Sequence, residues 1–285
     1  MRLSMFMRGD TKGIAAAGKA GFHGLTEDMP GYPGDLDDLV HAGTDLRKAG
    51  KALLTAPEVD MDSVRILPPL MRPSKIICVG LNYADHSAEV GFAVPDYPTI
   101  FCRFASSLVG HNQPIIKPVQ SDQLDYEGEM AVVIGKGGRG ISRAKALDHV
   151  IAYSMFNDAS VRNYQFRTPQ WTVGKNFDAT GAFGPWLVTA DELPPGGKGL
   201  SITTRLNGRI MQDSSTDKMM FDVPALVELL SEVMTLVPGD ILVTGTPSGV
   251  GSSRRPPVYM KHGDVVAVEI EGMGILKNPV IAANG

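Results

Sequence analysis

Two glutamates separated by one residue are the clearest chemical feature of the sequence. Glu127 and Glu129 lie in Asp-Tyr-Glu-Gly-Glu-Met-Ala-Val-Val-Ile-Gly, residues 125–135, and alternate side chains of a strand share a face. The two carboxylates would stand about 5–7 Å apart, where they repel by roughly 1 kcal/mol even in water. A divalent cation relieves this repulsion, and oxygen ligands suit Mg²⁺, Mn²⁺ or Ca²⁺. The alternative is an exposed strand face that binds no ion.

A third carboxylate would complete such a metal site. Asp158 follows an apolar run and precedes a polar turn, which is a common position for a ligand at the end of a strand. The alternative is a helix cap for the residues from Ala159 onward.

A histidine and a glutamate three residues apart form a second candidate group. His86 and Glu89 would meet on one helical turn, where the carboxylate can orient the imidazole and stabilise its charge. A histidine held in this way can take a proton from water. The alternative is a chance pair on the surface.

Two further segments could stabilise negative charge. Lys175, flanked by Gly and aromatic residues, could stabilise an enolate or an oxyanion, although a surface lysine is the alternative. The Gly-rich residues 244–251 could bind an anion through backbone N–H groups. They lack the lysine of a P-loop, so the sequence does not indicate nucleotide binding.

Strands are the main elements available to position these residues. Asn207-Gly208 between two of them is a strong signal for a hairpin. The predicted strands are residues 75–80, 115–117, 127–135, 185–189, 201–207, 241–244 and 265–271.

Helices are fewer, and they do not alternate regularly with the strands. Asp222 can cap a helix with Pro224 in its first turn, and Ser142 can cap a second helix through about Tyr153. Residues 34–51 could hold another. The pattern predicts a β-rich α+β protein, with a small N-terminal domain at 1–71 and a larger domain at 72–285.

Composition excludes several classes of protein. The chain has 285 residues, of which 43% are hydrophobic and 20% charged, with a net charge of −4. The absence of a basic cluster argues against nucleic acid as a partner, and no run of about 20 apolar residues predicts a membrane span. Cys78 and Cys102 lack metal-type spacing and are expected to be buried thiols in a reducing compartment. We therefore expect a cytoplasmic protein.

Several motifs, in their order along the chain, resemble those of the fumarylacetoacetate hydrolase family. They are VGLNYADHSAE at 79–89, DYEGEMAVVIGK at 125–136, NDASVRNYQ at 157–165, WTVGKNFDATGAFGP at 171–185, GDILVTGTPSGVG at 239–251 and GD at 263–264. The resemblance covers about residues 72–280. It implies a mixed β-roll or sandwich fold, usually as a homodimer.

The resemblance also implies roles for individual residues. The family's divalent cation, Mg²⁺ or Mn²⁺ with Ca²⁺ as a further candidate, would be bound by Glu127, Glu129 and Asp158. Its catalytic His–Glu pair, carried by a lid, would be His86 and Glu89. The other positions that match are Lys175 as a catalytic residue, with Gln165 and Thr246 as substrate-binding residues.

One position departs from the family pattern. Many relatives have Lys in F-x-K-x-x-S, whereas this chain has Arg103 in Phe-Cys-Arg-Phe-Ala-Ser. A guanidinium can bind a carboxylate through two hydrogen bonds, so Arg103 is predicted to bind the substrate.

The expected activity is hydrolysis of a C–C bond in a 2,4-dioxo acid such as an acylpyruvate, which yields a 2-oxo acid and a carboxylic acid. Alternatives on the same site are decarboxylation of oxaloacetate and isomerisation or hydration of a 2-oxo-diene. A binder of keto acids without catalytic activity is a further alternative.

Overall fold

The computed structural model describes residues 1–89 and 96–283. In chain order its strands are β1 Arg2–Arg8, β2 Thr11–Ala17, β3 Phe22–Thr26, β4 Glu58–Val59, β5 Arg65–Ile66, β6 Ile76–Gly80, β7 Thr99–Arg103, β8 Leu108–Val109, β9 Ile115–Lys117, β10 Leu124–Asp125, β11 Gly128–Ile134, β12 Val150–Asp158, β13 Ser160–Val161, β14 Gly181–Thr189, β15 Ser201–Leu206, β16 Arg209–Ser215, β17 Ile241–Val243, β18 Val265–Ile270 and β19 Gly274–Ala282. The α-helices are α1 Leu36–His41, α2 Leu46–Leu53, α3 Ala84–Glu89, α4 Arg162–Gln165, α5 Thr172–Lys175 and α6 Val223–Val233.

Most strands belong to two sheets. The large sheet follows the order β4-β3-β2-β1-β14-β12-β11-β17-β6-β7, with β5 paired to β1 and β8 paired to β14. A five-stranded sheet has the order β16-β15-β18-β19-β9, and β10 pairs with β13. Each predicted strand segment contains a strand, and the β-rich α+β prediction is confirmed.

The alternating residues of β11 show how the large sheet is covered. Met130 and Val132 pack in one hydrophobic cluster with Val268 of the five-stranded sheet. Ala131 and Val133 pack in another cluster, which includes residues of β1, β2, α1 and α2. The large sheet therefore lies between two layers, and the predicted row of Glu127, Glu129, Ala131 and Val133 extends the face that the N-terminal helices cover.

The N-terminal region contributes strands that the sequence did not predict. Leu3 and Met5 on β1 are fully buried, and Leu3 pairs with Leu187 of β14 in the large sheet. The expected helix within 34–51 is two helices, α1 and α2. One sheet includes strands from both sides of residue 71. The division of the chain into two domains there stays a prediction.

Two local predictions agree with the structure in detail. The hairpin between β15 and β16 turns at Asn207 and Gly208, whose φ angles of 53° and 79° are both positive, as a two-residue hairpin loop of this type requires. The Asp222 side chain accepts a hydrogen bond from the Ala225 N–H and caps α6.

The prediction of a helix from Ser142 to about Tyr153 is wrong. Residues 143–149 form a 3-10 helix without a side-chain cap from Ser142, and β12 begins at Val150. The reason is tertiary, because β12 is hydrogen-bonded to β11 on one side and to β14 on the other. Sheet pairing on both edges outweighs the local capping signal.

The two cysteines differ in exposure. Cys78 is buried as predicted, but Cys102 is exposed on β7, because alternate residues of an edge strand face outward. Within the described residues, no helix combines the length and the apolar character that a membrane crossing needs.

Candidate metal and catalytic site

Three buried carboxylates meet where β11 and β12 lie side by side. The Asp158 N–H donates to the Glu127 carbonyl at 2.8 Å, which places the end of β12 beside the start of β11. One oxygen each from Glu127, Glu129 and Asp158 lies within 4.8 Å of the others. The carboxylates predicted to form a metal site are therefore brought together, and Asp158 ends a strand.

Lys175 at the end of α5 partly neutralises this cluster. Its Nζ lies 2.7 Å from Glu127 Oε2 and 2.7 Å from Asp158 Oδ2, and its side chain is 1% exposed. Burial opposes the charge of the ammonium, but Asp158 and Glu127 outweigh it and raise the pKa of Lys175. Burial likewise opposes the charge of Glu127, yet Lys175 and Arg162 lower its pKa to about 2.

Glu129 is the carboxylate that this arrangement leaves uncompensated. Among the described residues no Lys or Arg side chain forms an ion pair with it, and the polar contact it accepts is from the Gly245 N–H. Burial, followed by the charges of Asp158 and Glu127, raises its pKa well above the usual range. A buried all-oxygen cluster with one unpaired carboxylate fits a hard divalent cation such as Mg²⁺, Mn²⁺ or Ca²⁺.

Two functional candidates were missed by the sequence analysis. Arg162 on α4 lies 2.7 Å from Glu127 Oε1 and 2.8 Å from Asp125 Oδ2, and it donates to Gln165 Oε1 at 2.8 Å. Asp125 is fully buried. The available signals were the three-residue spacing of Arg162 and Gln165 and the position of Asp125 two residues before Glu127.

The Gly-rich loop predicted to bind an anion donates to the protein's own carboxylates. The N–H groups of Gly249 and Gly251 donate to Glu89 and Asp125, as that of Gly245 does to Glu129. Gly245 has a φ of +98°, a conformation that residues with a Cβ rarely adopt. The loop therefore fixes several acidic side chains around the site.

His86 on α3 is 6% exposed, and its Nδ1 lies 3.5 Å from Glu89 Oε2. The Gly249 N–H contacts both oxygens of the same carboxylate, at 2.9 and 3.0 Å. Burial opposes the charge of Glu89, but the neighbouring His86 and Ser253 side chains and the hydrogen bond from Gly249 lower its pKa overall. The predicted pair is therefore formed, with an ionised carboxylate beside the imidazole.

His86, Glu127, Glu129 and Lys175 border one pocket, whose space of about 440 Å³ includes its opening to solvent. Trp171 packs against Phe101 with ring centroids 5.5 Å apart, and the Lys175 ammonium lies 4.8 Å from the centre of the Phe101 ring. An apolar wall thus lies beside the charged groups. The pocket is lined by Val79, Gly80, Leu81, His86, Phe101, Glu127, Glu129, Arg162, Gln165, Phe166, Trp171, Lys175, Thr246 and Ser252.

Comparison with known proteins agrees with this fold. The family model of the fumarylacetoacetate (FAA) hydrolase C-terminal domain matches residues 75–281. The chain belongs to the fumarylacetoacetate hydrolase family. A mitochondrial oxaloacetate tautomerase of Rattus norvegicus is 44% identical over 255 residues, covering 88% of this chain and 81% of that protein.

Two solved structures with similar folds extend the comparison. A fumarylacetoacetate hydrolase of Exiguobacterium antarcticum has a TM-score of 0.86 and 37% identity, covering 99% of this chain and 100% of its own. A 5-carboxymethyl-2-hydroxymuconate delta-isomerase of Mycobacterium smegmatis has a TM-score of 0.78 and 33% identity, with 100% of both chains covered. Family membership alone therefore does not choose the reaction.

The three residues predicted to bind the substrate differ in their positions relative to the pocket. Gln165 and Thr246 line the pocket, and the Thr246 hydroxyl donates to the Gly128 carbonyl at 3.0 Å. Arg103 is not among the residues lining the pocket and lies behind Asp158, with which it forms a buried ion pair. The roles of these residues, the homodimer and the cytoplasmic location stay predictions. The name of the Rattus relative places that protein in mitochondria.

Proposed function

We propose that the protein catalyses metal-dependent keto–enol tautomerisation of a short 2-oxo dicarboxylic acid of the oxaloacetate class. The main support for this reaction is the similarity to the Rattus oxaloacetate tautomerase. The expected hydrolysis of a C–C bond has less support, because the relatives of this chain include tautomerases and isomerases. Enolisation on this site needs a stabilised oxyanion and one proton carrier.

The carboxylate cluster beside Lys175 supports this chemistry. A divalent cation held by Glu127, Glu129 and Asp158 would supply Lewis-acid polarisation of the oxo group of the substrate. Lys175 holds a buried positive charge next to the same carboxylates. It is placed to stabilise the negative charge that develops on the enolate oxygen, where the low dielectric of the pocket strengthens the interaction.

His86 is the proton carrier in this proposal. Since Nδ1 faces Glu89, Nε2 is the ring nitrogen left to exchange a proton with the substrate. It takes the proton from the carbon between the oxo group and the distal carboxylate, and it then delivers that proton to the enolate oxygen. The reverse sequence regenerates the keto form, so no water is consumed and no bond between carbon atoms breaks.

The remaining pocket residues position the substrate and limit its contact with water. Gln165 and Thr246 line the pocket and are the candidates to contact the substrate. Phe101 and Trp171 form the apolar wall beside the charged groups. An apolar wall keeps water from protonating the enolate at the wrong atom.

The test follows tautomerisation and bond cleavage in parallel. Protein stripped with EDTA receives Mg²⁺ or Mn²⁺ and then enol-oxaloacetate. Loss of the ultraviolet absorbance of the enol reports ketonisation, malate dehydrogenase with NADH detects the keto form, and lactate dehydrogenase with NADH detects pyruvate. We expect metal-restored ketonisation without pyruvate release, and the same rate in Lys145→Met, whose side chain is 73% exposed.

Two outcomes would contradict the proposal. If ketonisation is no faster with the protein than with the metal ion alone in buffer, the protein has no tautomerase activity. Pyruvate formed in step with oxaloacetate loss would instead identify a decarboxylase. A parallel reaction with acylpyruvates tests the hydrolase alternative, since metal-restored loss of the enolised diketone together with pyruvate would favour C–C hydrolysis.

A further inference from the structure

Arg103 occupies a buried position directly behind the metal-site carboxylate of Asp158. Its Nη1 donates to Asp158 Oδ1 and, at 3.2 Å, to the Ala159 carbonyl. Its Nη2 donates to Thr180 Oγ1 at 2.7 Å and its Nε donates to Ser107 Oγ at 3.2 Å. The residue is 2% exposed, so these contacts enclose the guanidinium on several sides.

The surroundings of Arg103 are shaped for a guanidinium. The Ser107 hydroxyl donates its own proton to the Phe104 carbonyl at 2.8 Å, and the Thr180 hydroxyl donates to the Phe177 carbonyl at 2.6 Å. Both hydroxyl oxygens are thereby left as acceptors that face Arg103. A lysine ammonium is a point charge on a flexible stem and could not bind all of these acceptors in one plane.

Gly181 provides the space for this planar group. A Cβ at position 181 would lie 2.9 Å from Arg103 Nε and 3.0 Å from both Cζ and Nη2, distances that would force the guanidinium to move. Gly181 is also the partner of Asp158 in the β12–β14 ladder. The strand that carries the glycine therefore holds Arg103 against Asp158.

As a consequence, the two carboxylate oxygens of Asp158 have different partners. Oδ1 is bound by Arg103, whereas Oδ2 accepts from Lys175 Nζ at 2.7 Å on the side of Glu127 and Glu129. Arg103 fixes the plane of the carboxylate, so that Oδ2 alone is presented to the cluster. This holds because rotation of the carboxylate would break the buried contact with Arg103.

We infer that Arg103 makes Asp158 a ligand through one oxygen and so favours Mg²⁺ or Mn²⁺ over Ca²⁺. Mg²⁺ requires near-octahedral geometry with few ligand atoms, whereas Ca²⁺ takes six to eight oxygens and often binds carboxylates through both. Arg103 is thus a positioning residue for metal selectivity. The inference rests on the metal site of the proposed function and extends it to the choice of ion.

The test measures the dissociation constants (Kd) of Mg²⁺, Mn²⁺ and Ca²⁺ by titration calorimetry on EDTA-stripped, full-length protein. Arg103→Lys keeps the positive charge but loses the planar set of contacts. Loss of a group that orients a metal ligand weakens affinity by about 10-fold or more, so we expect Mg²⁺ and Mn²⁺ to bind about 10-fold more weakly. The affinity for Ca²⁺ should fall much less, so that the Kd values of Ca²⁺ and Mg²⁺ become more similar in the variant.

Two further variants make the measurement decisive. Thr180→Val removes one acceptor and keeps the ion pair between Arg103 and Asp158, so selectivity should shift in the same direction by a smaller factor. Arg143→Lys is the matched control, because that arginine is 55% exposed and pairs with Asp222 on the surface. We expect this control to bind all three ions as the wild type does.

The outcomes separate this inference from the proposed function. If folded Arg103→Lys binds all three ions with unchanged Kd, or with Kd changed by one common factor, the selectivity role is wrong while the metal site stands. If Arg103→Lys does not fold, an unchanged ratio in Thr180→Val overturns the role. If the wild type binds none of the ions, both the metal site and the inference fail.

Discussion

Replacing Lys175 by methionine tests the electrostatic balance of the site. Methionine has a similar length but no charge, so the variant leaves Glu127 and Asp158 without the ammonium that lies 2.7 Å from each. The side chains of Lys175, Glu127 and Asp158 are 1%, 6% and 0% exposed. Water therefore compensates only partly for the lost partner.

The expected size of the effect follows from this burial. Removing one member of a buried ion pair costs about 3–5 kcal/mol, and here the three carboxylates would keep the Arg162 and Arg103 guanidiniums but lose the ammonium between Glu127 and Asp158. A change of 1 kcal/mol shifts the melting temperature by roughly 2–4 °C for a chain of this order of length. Lys175→Met should therefore melt about 6–20 °C below the wild type in EDTA.

Added Mg²⁺ should reduce this difference, because a cation bound by the three carboxylates replaces part of the missing positive charge. Thermal unfolding followed by fluorescence, with EDTA and with Mg²⁺, measures both effects. Lys145→Met, which removes an exposed lysine paired with the exposed Asp148, should leave the melting temperature unchanged. A Lys175→Met protein that melts within about 2 °C of the wild type in EDTA would contradict the charge balance described above.

Three further substitutions separate proton transfer, metal binding and general stability. His86→Ala should lower turnover about 100- to 10,000-fold and leave the stabilisation by Mg²⁺ intact; a near-normal rate would exclude His86 as the proton carrier. Glu129→Gln should not melt lower than the wild type in EDTA at neutral pH, because a raised carboxyl pKa in the folded state means that ionised Glu129 destabilises the fold. Mg²⁺ should no longer raise the melting temperature of this variant, and persistent stabilisation by Mg²⁺ would argue against Glu129 as a ligand. Leu226→Ala, at a fully buried position of α6, should cost about 2–5 kcal/mol of stability with little change in the rate of the folded enzyme, and a large loss of kcat would connect α6 to the site.

Short-range patterns in the sequence predicted much of the local structure. Alternating apolar residues marked the strands, Asp222 and Pro224 marked the start of α6, and Asn207-Gly208 marked a hairpin. The spacing of Glu127 and Glu129 predicted two carboxylates on one face. These signals are reliable because each depends on neighbours a few residues away, where backbone geometry alone sets the spacing.

The sequence alone determined that two carboxylates would share a face and that a β-rich chain would carry them. Only the tertiary structure decided their partners. Lys175 reaches Glu127 across 48 residues of chain, Arg103 lies behind Asp158, and Arg162 enters the site from α4. Such contacts depend on which strands pair, and pairing between distant segments depends on burial across the whole sheet, which no local pattern records.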